Sequence, residues 1–337
     1  MTTANRILEI LYDRRGRFVA TEELLVPTYV GIGTRLETLP ARLERALEEL
    51  RQRGHGLEVS PASGVRLPCP VRLDAHLVGH GIKRGHLGHN VLCFDQVGST
   101  NDVAFDAARG GESSVVVTAE HQRAGRGRLG RKWLSGKGAG ILASVLLPVP
   151  TYVGTGPLSH EALTVAAGLA VAEGIEDATG LRAGLAWPND VVLHGAKLAG
   201  VLVETRAIKG RRRTVIGFGV NVHEAPARQQ VGRKAACLSE VVGGEGLERI
   251  EVLRAVLSRL DGWVAAIRDR QIEPLHQRWC SRCEMVNARV RVESRAGGHA
   301  RQFVGRVLDV SPLVGLVLAT DAGQTIHLPA ATSTVLE

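Results

Sequence analysis

The sequence predicts an α+β protein with three parts: an N-terminal winged helix-turn-helix, a central mixed α/β domain and a small C-terminal β-barrel. Three observations support this fold class. Helical periodicity and then a hairpin pattern occupy the first 70 residues, strand-like and helix-like runs alternate from 85 to 280, and short β-branched runs separated by turns follow from 284. We therefore predict domains at 1–70, 85–280 and 284–337.

The N-terminal part contains two amphipathic helices and a hairpin. Apolar residues recur at helical spacing over 4–13 and 39–52. The apolar runs 57–59 and 65–67 flank the turn sequence Pro-Ala-Ser-Gly, which is typical of a short β-hairpin. Helices followed by a hairpin predict a winged helix-turn-helix.

The central and C-terminal parts differ in their patterns. Long amphipathic helices are predicted over 158–179 and 247–270. Strands rich in valine, leucine and isoleucine are predicted over 91–94, 114–118, 141–147, 198–204 and 214–220. After residue 284, turns at 296–298 and 321–323 separate short strands, which predicts a barrel of about five strands.

Composition limits the class of protein. The chain has 337 residues, 44% of them hydrophobic and 23% charged, which is enough apolar content for a sizeable core and argues against disorder. No apolar run approaches the roughly 20 residues of a membrane-spanning helix. Five cysteines do not make a disulfide framework, and the N-terminus does not resemble an export signal. We therefore expect a cytoplasmic protein that does not bind membranes.

The position of the positive charge indicates the kind of partner. The net charge is +8, but residues 1–80 hold eleven Lys and Arg against ten Asp and Glu. The surplus lies around 123–137, around 206–213 and after 268. Because much of it falls in a glycine-rich loop, it favours a phosphate-bearing small molecule over nucleic acid.

That loop carries the strongest chemical signal. It reads GRGRLGRKW over 125–133, directly after Gln122-Arg123-Ala124. Glycine lets a backbone approach a ligand closely, and arginine supplies permanently charged donors for phosphate or carboxylate. An anion-binding loop is predicted, with a flexible, solvated basic loop as the alternative. Its G-x-G-x-x-G spacing does not predict a dinucleotide-binding fold, because the following LSGKGAG cannot begin the helix which that motif requires.

This loop and further segments resemble the biotin protein ligases. GRGRLGRKW is similar to the biotin-binding loop of that family. VGSTN at 97–101, WPND at 187–190, KLAGVLVE at 197–204 and GFGVNV at 217–222 resemble its other segments in order and spacing. The resemblance covers about residues 1–337 and is strongest over 90–225. It implies a central domain of the biotin/lipoate ligase type, a winged helix and an SH3-like barrel.

The resemblance also implies roles for individual residues. It assigns catalysis to Lys197, Arg126 and Arg128. It assigns biotin binding to Ser99, Thr100, Asn101, Gln122, Gly125, Arg126, Gly127, Arg128, Lys197 and Gly200. It assigns ATP or adenylate binding to Arg128, Arg131, Trp133, Asn189, Asp190, Lys197 and Asn221, with Asp190 holding Mg²⁺ through ATP.

The biotin-binding assignments have a chemical reason and a structural alternative. A buried ureido ring offers N–H donors and a carbonyl acceptor, so its site needs both hydroxyl and amide groups. Ser99, Thr100 and Gln122 would supply them. Ser99 and Thr100 also precede a helix, where such residues commonly act as N-caps.

The residues assigned to the carboxylate and the ATP phosphates also have structural alternatives to their functional roles. Lys197 would neutralise the biotin carboxylate and the α-phosphate as they approach each other, but a lysine at a strand start is also a common solvated edge residue. Asn189 and Asp190 would lie near the ATP phosphates, or simply form a turn. Trp133 would stack on adenine or cover the ligand, or belong to the core.

The implied reaction has two steps and no protein nucleophile. ATP and biotin are the substrates, with Mg²⁺, and the biotin carboxylate attacks the α-phosphorus to give biotinyl-5′-adenylate and pyrophosphate. A lysine of a biotin carboxyl carrier protein domain then attacks the adenylate and releases AMP. Catalysis would consist of positioning and electrostatic stabilisation, with the 122–138 loop excluding water.

Departures from the family pattern bear on partners. Ala186 precedes WPND where the family usually has lysine, and Arg182 is a candidate to compensate. Segment 26–38 does not resemble a helix-turn-helix turn, and glutamates on the second helix would repel DNA phosphates, so low DNA affinity is expected. A homodimer through a sheet edge is compatible with the family.

Two other functions remain open. A lipoate-type ligase of the same superfamily would show a different ligand loop. The second alternative is a biotin- or adenylate-sensing DNA-binding regulator with little ligase activity. The presence of both loop arginines and Lys197 favours the ligase.

Overall fold

The computed structural model describes residues 1–24, 39–82, 87–148, 159–244, 246–296, 299–311 and 315–336. Within these residues it contains an N-terminal part with a small sheet, a central seven-stranded sheet covered by helices, and a C-terminal five-stranded sheet. None of the described helices combines the length and apolar character needed to cross a membrane.

The N-terminal part matches the predicted order of elements. It comprises α1 Thr3–Asp13, β1 Phe18–Val19, α2 Thr21–Leu24, α3 Leu39–Gln52, β2 Glu58–Ser60 and β3 Gly64–Arg66. Helix α1 begins where the Thr2 side chain accepts a hydrogen bond from the Asn5 backbone, and its apolar stripe is buried. The two helices and the hairpin were predicted, whereas β1, which pairs with β3, was missed. The predicted departure at 26–38 lies outside the described residues.

A short helix, α4 Ala75–His80, leads from the N-terminal part into the central sheet. Asp74 caps it by accepting hydrogen bonds from the backbones of His76 and Leu77. The same buried carboxylate binds Arg53 at 2.7 Å and His55 at 3.1 Å. Asp74 therefore ties the end of the N-terminal part to the start of the central one.

The central sheet has mixed topology. Its strands are β4 Val91–Val97, β5 Val115–Gln122, β6 Gly140–Leu146, β7 Gly184–Ala186, β8 Asp190–Leu193, β9 Ala196–Ile208 and β10 Arg211–Asn221. Their order is β4-β5-β6-β10-β9-β8-β7, in which β4 and β5 run parallel and all other neighbours are antiparallel. The five predicted strands are present, and two short strands, β7 and β8, join them around the WPND turn.

Helices cover this sheet. They are α5 Thr100–Gly110, α6 His160–Thr179, α7 Arg228–Val231, α8 Ser239–Val242, α9 Arg249–Arg268 and α10 Ile272–Cys280. Helix α6 is buried on almost all sides, which explains its run of alanine, valine and leucine. Helix α9 packs against α6 so closely that a Cβ on Gly174 would meet the Val256 backbone at 2.5 Å.

The C-terminal sheet has the five strands that the sequence predicted. They are β11 Arg289–Ser294, β12 Arg301–Ser311, β13 Gly315–Thr320, β14 Thr325–Pro329 and β15 Ser333–Val335, in the order β14-β13-β12-β11-β15, and all are antiparallel. A register shift between Val307 and Asp309 bends β12. Closure into an SH3-like barrel stays a prediction.

Candidate functional site

A cavity of about 850 Å³ lies over the central sheet and reaches the C-terminal sheet. All of the site residues named from the sequence line it except Gly125. They are Ser99, Thr100, Asn101, Gln122, Arg126, Gly127, Arg128, Arg131, Trp133, Asn189, Asp190, Lys197, Gly200 and Asn221. Residues more than 100 positions apart in the chain are thus brought to one place.

The glycine-rich loop folds back on itself beside this cavity. The Trp133 backbone donates to the Gly125 carbonyl at 3.0 Å, and the Gly127 backbone donates to the Arg131 carbonyl at 2.7 Å. Gly125 is buried behind the cavity wall, where a Cβ would meet the Trp133 carbonyl at 2.6 Å. The loop is followed by strand β6 and not by a helix, as its sequence indicates. Its backbone is therefore ordered by its own hydrogen bonds and is not a free solvated segment.

One end of the cavity is a network of hydroxyl and amide groups. Gln122 Oε1 accepts from the Thr100 backbone at 2.7 Å and from Thr100 Oγ1 at 3.1 Å. Ser144, which is fully buried, has its hydroxyl 2.7 Å from Thr100 Oγ1 and 2.5 Å from Asn101 Oδ1. The Gln122 oxygen is thus occupied within the protein, which leaves its Nε2 as the group available to donate elsewhere.

The N-cap interpretation of this segment is wrong for the Ser99 side chain. Ser99 occupies the N-cap position of α5 but makes no capping hydrogen bond with its side chain. Gln122, from the end of β5, satisfies the first turn of the helix instead. Ser99 is buried and lines the cavity, so its hydroxyl is not committed to the helix.

Arg126 is surrounded by carboxylates. Its guanidinium binds both oxygens of Asp102, at 2.6 and 2.9 Å, and one oxygen of Glu204 at 3.1 Å. Arg206 also contacts Asp102 at 2.8 Å. The hydrogen bond from Arg126 lowers the pKa of Asp102 below its ordinary value. Burial alone would raise the pKa of Glu204, but the hydrogen bond from Asn101 and the Arg126 guanidinium outweigh burial and lower it. The positive charge of Arg126 is therefore already balanced.

Arg128 and Arg131 join the loop to the C-terminal sheet. Arg128 donates to the Ala330 carbonyl, and Arg131 Nη1 lies 3.2 Å from Thr334 Oγ1. In the part of the chain that the structure describes, Arg128 forms no ion pair, and burial lowers the pKa of its guanidinium. Its charge is available to an anion in the cavity, in contrast to that of Arg126.

A carboxylate between two cations forms the other end of the cavity. Lys197 Nζ lies 2.6 Å from Asp190 Oδ1, and Arg233 Nη1 lies 2.6 Å from Asp190 Oδ2. Burial alone would raise the pKa of Asp190, but the two cations outweigh it and lower the pKa. Burial lowers the pKa of Lys197, with Asp190 acting in the opposite direction. The side chain of Lys197 is only 17% exposed, so the interpretation as a solvated edge residue is wrong.

Trp133 covers the lysine. Lys197 Nζ lies 5.3 Å from the centre of the indole ring, within the range of a cation–π contact. A Cβ on Gly219 would overlap the ring, and one on Gly200 would meet it at 3.1 Å. The buried indole Nε1 has no hydrogen-bond partner among the described residues. The ring therefore rests on two glycines of the sheet and forms the cavity wall.

Two asparagine amides brace the nucleotide side predicted from the sequence. Asn189 Nδ2 donates to the Val201 carbonyl at 2.6 Å, which fixes the turn between β7 and β8 against β9. Asn221 Nδ2 donates to the Ala236 carbonyl at 3.1 Å, which fixes the segment after β10. Both side chains line the cavity, so the turn interpretation of Asn189 and its place at the cavity are both correct.

Several residues in or behind the cavity wall were missed from the sequence. Arg233, and Arg289 and Arg291 from β11, line the cavity. Ser144 and Glu204 lie behind the lining, where both contact Asn101, and Asp102 and Arg206 lie behind Arg126. Glu204 is the last residue of the segment KLAGVLVE, so the resemblance contained a signal for it. Arg233 lies in no motif. Arg182, the candidate to compensate for Ala186, is exposed and outside the cavity lining.

Comparison with known proteins identifies the family. Residues 93–221 match the Biotin/lipoate A/B protein ligase family. The bifunctional ligase/repressor BirA of Bacillus subtilis is 30% identical over 282 residues, which cover 82% of this chain and 84% of the relative. The biotin–[acetyl-CoA-carboxylase] ligase of Mycobacterium tuberculosis is 35% identical over 248 residues, which cover 69% of this chain and 87% of the relative.

A solved structure has the same fold. The biotin protein ligase from Aquifex aeolicus in complex with biotin and ATP aligns with a TM-score of 0.59 at 26% identity, covering 73% of this chain and 99% of that one. The family resemblance inferred from the motifs is confirmed, and the chain belongs to the biotin protein ligases.

Proposed function

We propose that this chain is an ATP-dependent biotin ligase that forms biotinyl-5′-adenylate and transfers the biotinyl group to a lysine of a biotin carboxyl carrier protein. The observation that carries the proposal is the cavity itself, which places a hydroxyl–amide network and a pair of half-buried cations at its two ends. The first end suits a ureido ring, and the second suits a carboxylate that must approach a phosphate. The named activities of the relatives support the same reaction.

The residues at the biotin end would bind and orient the ring. Gln122 would present its Nε2 to the ureido carbonyl, because its oxygen already accepts from Thr100. Ser99 would offer a free hydroxyl to the ring N–H groups. Arg126 would order the loop against α5 and β9 through Asp102 and Glu204, and so close this end of the cavity. Binding and water exclusion are its role in this proposal, since its charge is balanced.

The residues at the other end would stabilise the charge that moves during adenylation. Lys197 has three N–H donors and uses one on Asp190, which leaves donors for the biotin carboxylate and the α-phosphate. Arg128 would add a second charge once the ligand is present. No protein nucleophile is required, so the chain contributes position and electrostatic stabilisation.

The proposed role of Asp190 as a Mg²⁺ ligand does not fit its surroundings. Both of its oxygens already bind cations at 2.6 Å, and a divalent ion there would be repelled by Lys197 and Arg233. No cluster of three acidic, histidine or cysteine side chains within the described ranges is suited to a metal. We therefore treat Mg²⁺ as part of the Mg·ATP substrate and Asp190 as the anchor of two cations.

Partners follow from the same reaction. The carrier domain would approach the cavity where the loop meets the C-terminal sheet, since the acceptor lysine must reach the adenylate there. DNA binding is a weaker proposal, because Glu44, Glu48 and Glu49 are exposed on α3 and would face the phosphates. Self-association would use β4, because the outer edge of β7 is already hydrogen-bonded to segment 282–284.

Isotope exchange tests the adenylation step. Labelled pyrophosphate should enter ATP only in the presence of biotin, and lipoate should not replace biotin. Lys197→Ala should reduce the exchange rate by about a hundredfold, because a half-buried cation is lost where charge develops. Well-folded protein that shows no biotin-dependent exchange would move the assignment to a regulator, and exchange supported by lipoate would move it to a lipoate-type ligase.

A further inference from the structure

Arg233 belongs to a segment that no sequence motif identified. This segment, residues 226–238, follows β10 and contains the short helix α7. It forms one wall of the cavity, with Pro226, Gln230, Val231, Gly232, Arg233 and Ala235 among the lining residues. Among the described residues of this wall, Arg233 is the only arginine.

Backbone hydrogen bonds hold the segment beside the catalytic lysine. The Lys197 backbone donates to the Lys234 carbonyl at 3.0 Å, and the Ala236 backbone donates to the Lys197 carbonyl at 2.9 Å. Segment 226–238 and strand β9 therefore run parallel at this point. The position of Arg233 is fixed relative to Lys197 by these contacts as well as by its own ion pair.

The ion pair leaves both cations able to bind a ligand. Arg233 Nη1 and Lys197 Nζ each lie 2.6 Å from a different oxygen of Asp190. Lysine has three N–H donors and arginine has five, so each cation keeps donors after binding the carboxylate. Two cations and one carboxylate carry a net charge of +1 in a half-buried site, which favours an anionic ligand.

We propose that Arg233 is a second phosphate-binding cation of the adenylation step and contacts the part of ATP that leaves as pyrophosphate. The inference rests on the proposed function and extends it. An oxygen of the biotin carboxylate forms a bond to the α-phosphorus, the bond from that phosphorus to the bridging oxygen breaks, and pyrophosphate leaves with the electron pair. Negative charge therefore moves onto the leaving group. Arg233, which binds Asp190 Oδ2, stabilises that charge.

This role predicts a difference between the two half-reactions. Adenylation involves pyrophosphate, whereas transfer from biotinyl-5′-adenylate to the carrier lysine does not. A phosphate-binding role therefore affects only the first half-reaction. A residue that merely shaped the cavity or held segment 226–238 in place would affect both.

The test compares Arg233→Gln and Arg233→Lys with Arg228→Gln. Arg228 is an exposed arginine of the same segment that lies outside the cavity lining, so it controls for the lost charge. Arg233→Gln should slow biotin-dependent pyrophosphate exchange by about a hundredfold and weaken the binding of inorganic pyrophosphate measured by calorimetry. Single-turnover transfer from purified biotinyl-5′-adenylate should stay near the wild-type rate, and Arg233→Lys should recover part of the exchange.

Unchanged exchange in Arg233→Gln, or an equal loss of exchange and adenylate transfer, would overturn the proposal. Thermal unfolding of each variant identifies a folding defect, and Arg233→Lys provides the second, more conservative variant. Absence of biotin-dependent exchange in the wild type would instead refute the proposed function. Pyrophosphate binding by wild type and Arg233→Gln would then decide whether Arg233 holds phosphate.

Discussion

At the scale of single residues, the two loop arginines differ in what their charge can do. Arg126 is balanced by Asp102 and Glu204, whereas Arg128 donates only to a carbonyl among the described contacts. Identical side chains two positions apart therefore have different partners, and we propose different roles for them. Ion-pair partners decide which arginine can stabilise a transition state and which one orders the loop.

Substitution should separate these roles. We expect Arg128→Ala to lower the rate of biotin-dependent pyrophosphate exchange by about a hundredfold, because a cation near the reacting groups is lost. Arg126→Ala should act mainly by raising the Kd for biotin, because it frees the loop from Asp102 and Glu204, which keep only Arg206 and Asn101 as partners. Equal effects of both variants on the rate at saturating biotin and ATP would contradict this assignment.

The motif residues of the site could be predicted, but their ion pairs could not. Lys197, Gln122 and Arg128 lie in segments whose order and composition are distinctive. The partner Asp102 precedes Arg126 by 24 positions, and Arg233 follows Asp190 by 43. Such contacts depend on how strands and loops are arranged in space, which local sequence does not encode.

At the scale of elements, glycines in β9 and β10 make room for the aromatic wall. Gly219 lies under the Trp133 indole, and Gly217 lies against Asn101. Glycine by itself weakens a strand. The close approach of the indole and of Asn101 explains why glycine occupies these positions. The sheet therefore provides a surface on which the loop and α5 can rest.

A methyl group at Gly219 tests this packing. Gly219→Ala should displace the Trp133 ring from above Lys197 and lower the exchange rate by about tenfold to a hundredfold, because small misplacements of reacting groups are costly. Gly262→Ala is the matched control, since a Cβ there, on the exposed face of α9, meets no atom within 4 Å. Wild-type exchange kinetics in Gly219→Ala would show that the ring position is unimportant.

A second prediction concerns Asp74, which caps α4. Burial alone would raise its pKa, but the hydrogen bonds from His55 and Arg53 outweigh burial and lower it. Its contribution to stability is therefore complete above the unfolded-state pKa of about 3.9 and is lost as the pH falls below that value. We expect Asp74→Ala to reduce the free energy of unfolding by about 3 kcal/mol at neutral pH.

Urea unfolding between about pH 7 and about pH 3 measures both effects. The difference between wild type and Asp74→Ala should shrink as the pH falls. The control Asp106→Ala removes an exposed carboxylate paired with Arg109 and should leave the free energy of unfolding nearly unchanged. A pH-independent difference for Asp74→Ala would contradict the assigned role.

Element prediction succeeded where a pattern was long and regular. Helix α3 has the predicted ends, since its apolar stripe is clear and glycines follow it. Strands β7 and β8 have only three and four residues, too few for a period to emerge. Strands β9 and β10 extend beyond their predicted ends because their charged residues continue the hairpin to the turn at Lys209 and Gly210.

At the scale of the whole molecule, the cavity is lined by residues of both the central and the C-terminal sheet. Arg128 and Arg131 connect the loop to the C-terminal sheet, and the N-terminal part is attached through Tyr12, which donates to Glu251 at 2.8 Å. A continuous apolar core runs from α1 through the central sheet. The N-terminal part is therefore packed as a structural component, whatever else it binds.

DNA affinity is the prediction at this scale. Fluorescence anisotropy with duplex DNA from about 50 to about 200 mM salt should show weak binding and a shallow salt dependence, because α3 exposes Glu44, Glu48 and Glu49. Replacing these three residues by glutamine should increase the affinity. Tight binding by the wild type with a steep loss at higher salt would contradict the prediction.

Biotin transfer to a carrier protein tests the central claim most directly. The purified chain is incubated with biotin, Mg·ATP and a biotin carboxyl carrier domain, and the mass of the intact carrier is recorded. We predict a gain of one biotinyl group that requires ATP and is lost when the acceptor lysine of the carrier is replaced by arginine. An unmodified carrier, with folded protein and all substrates present, would contradict the account.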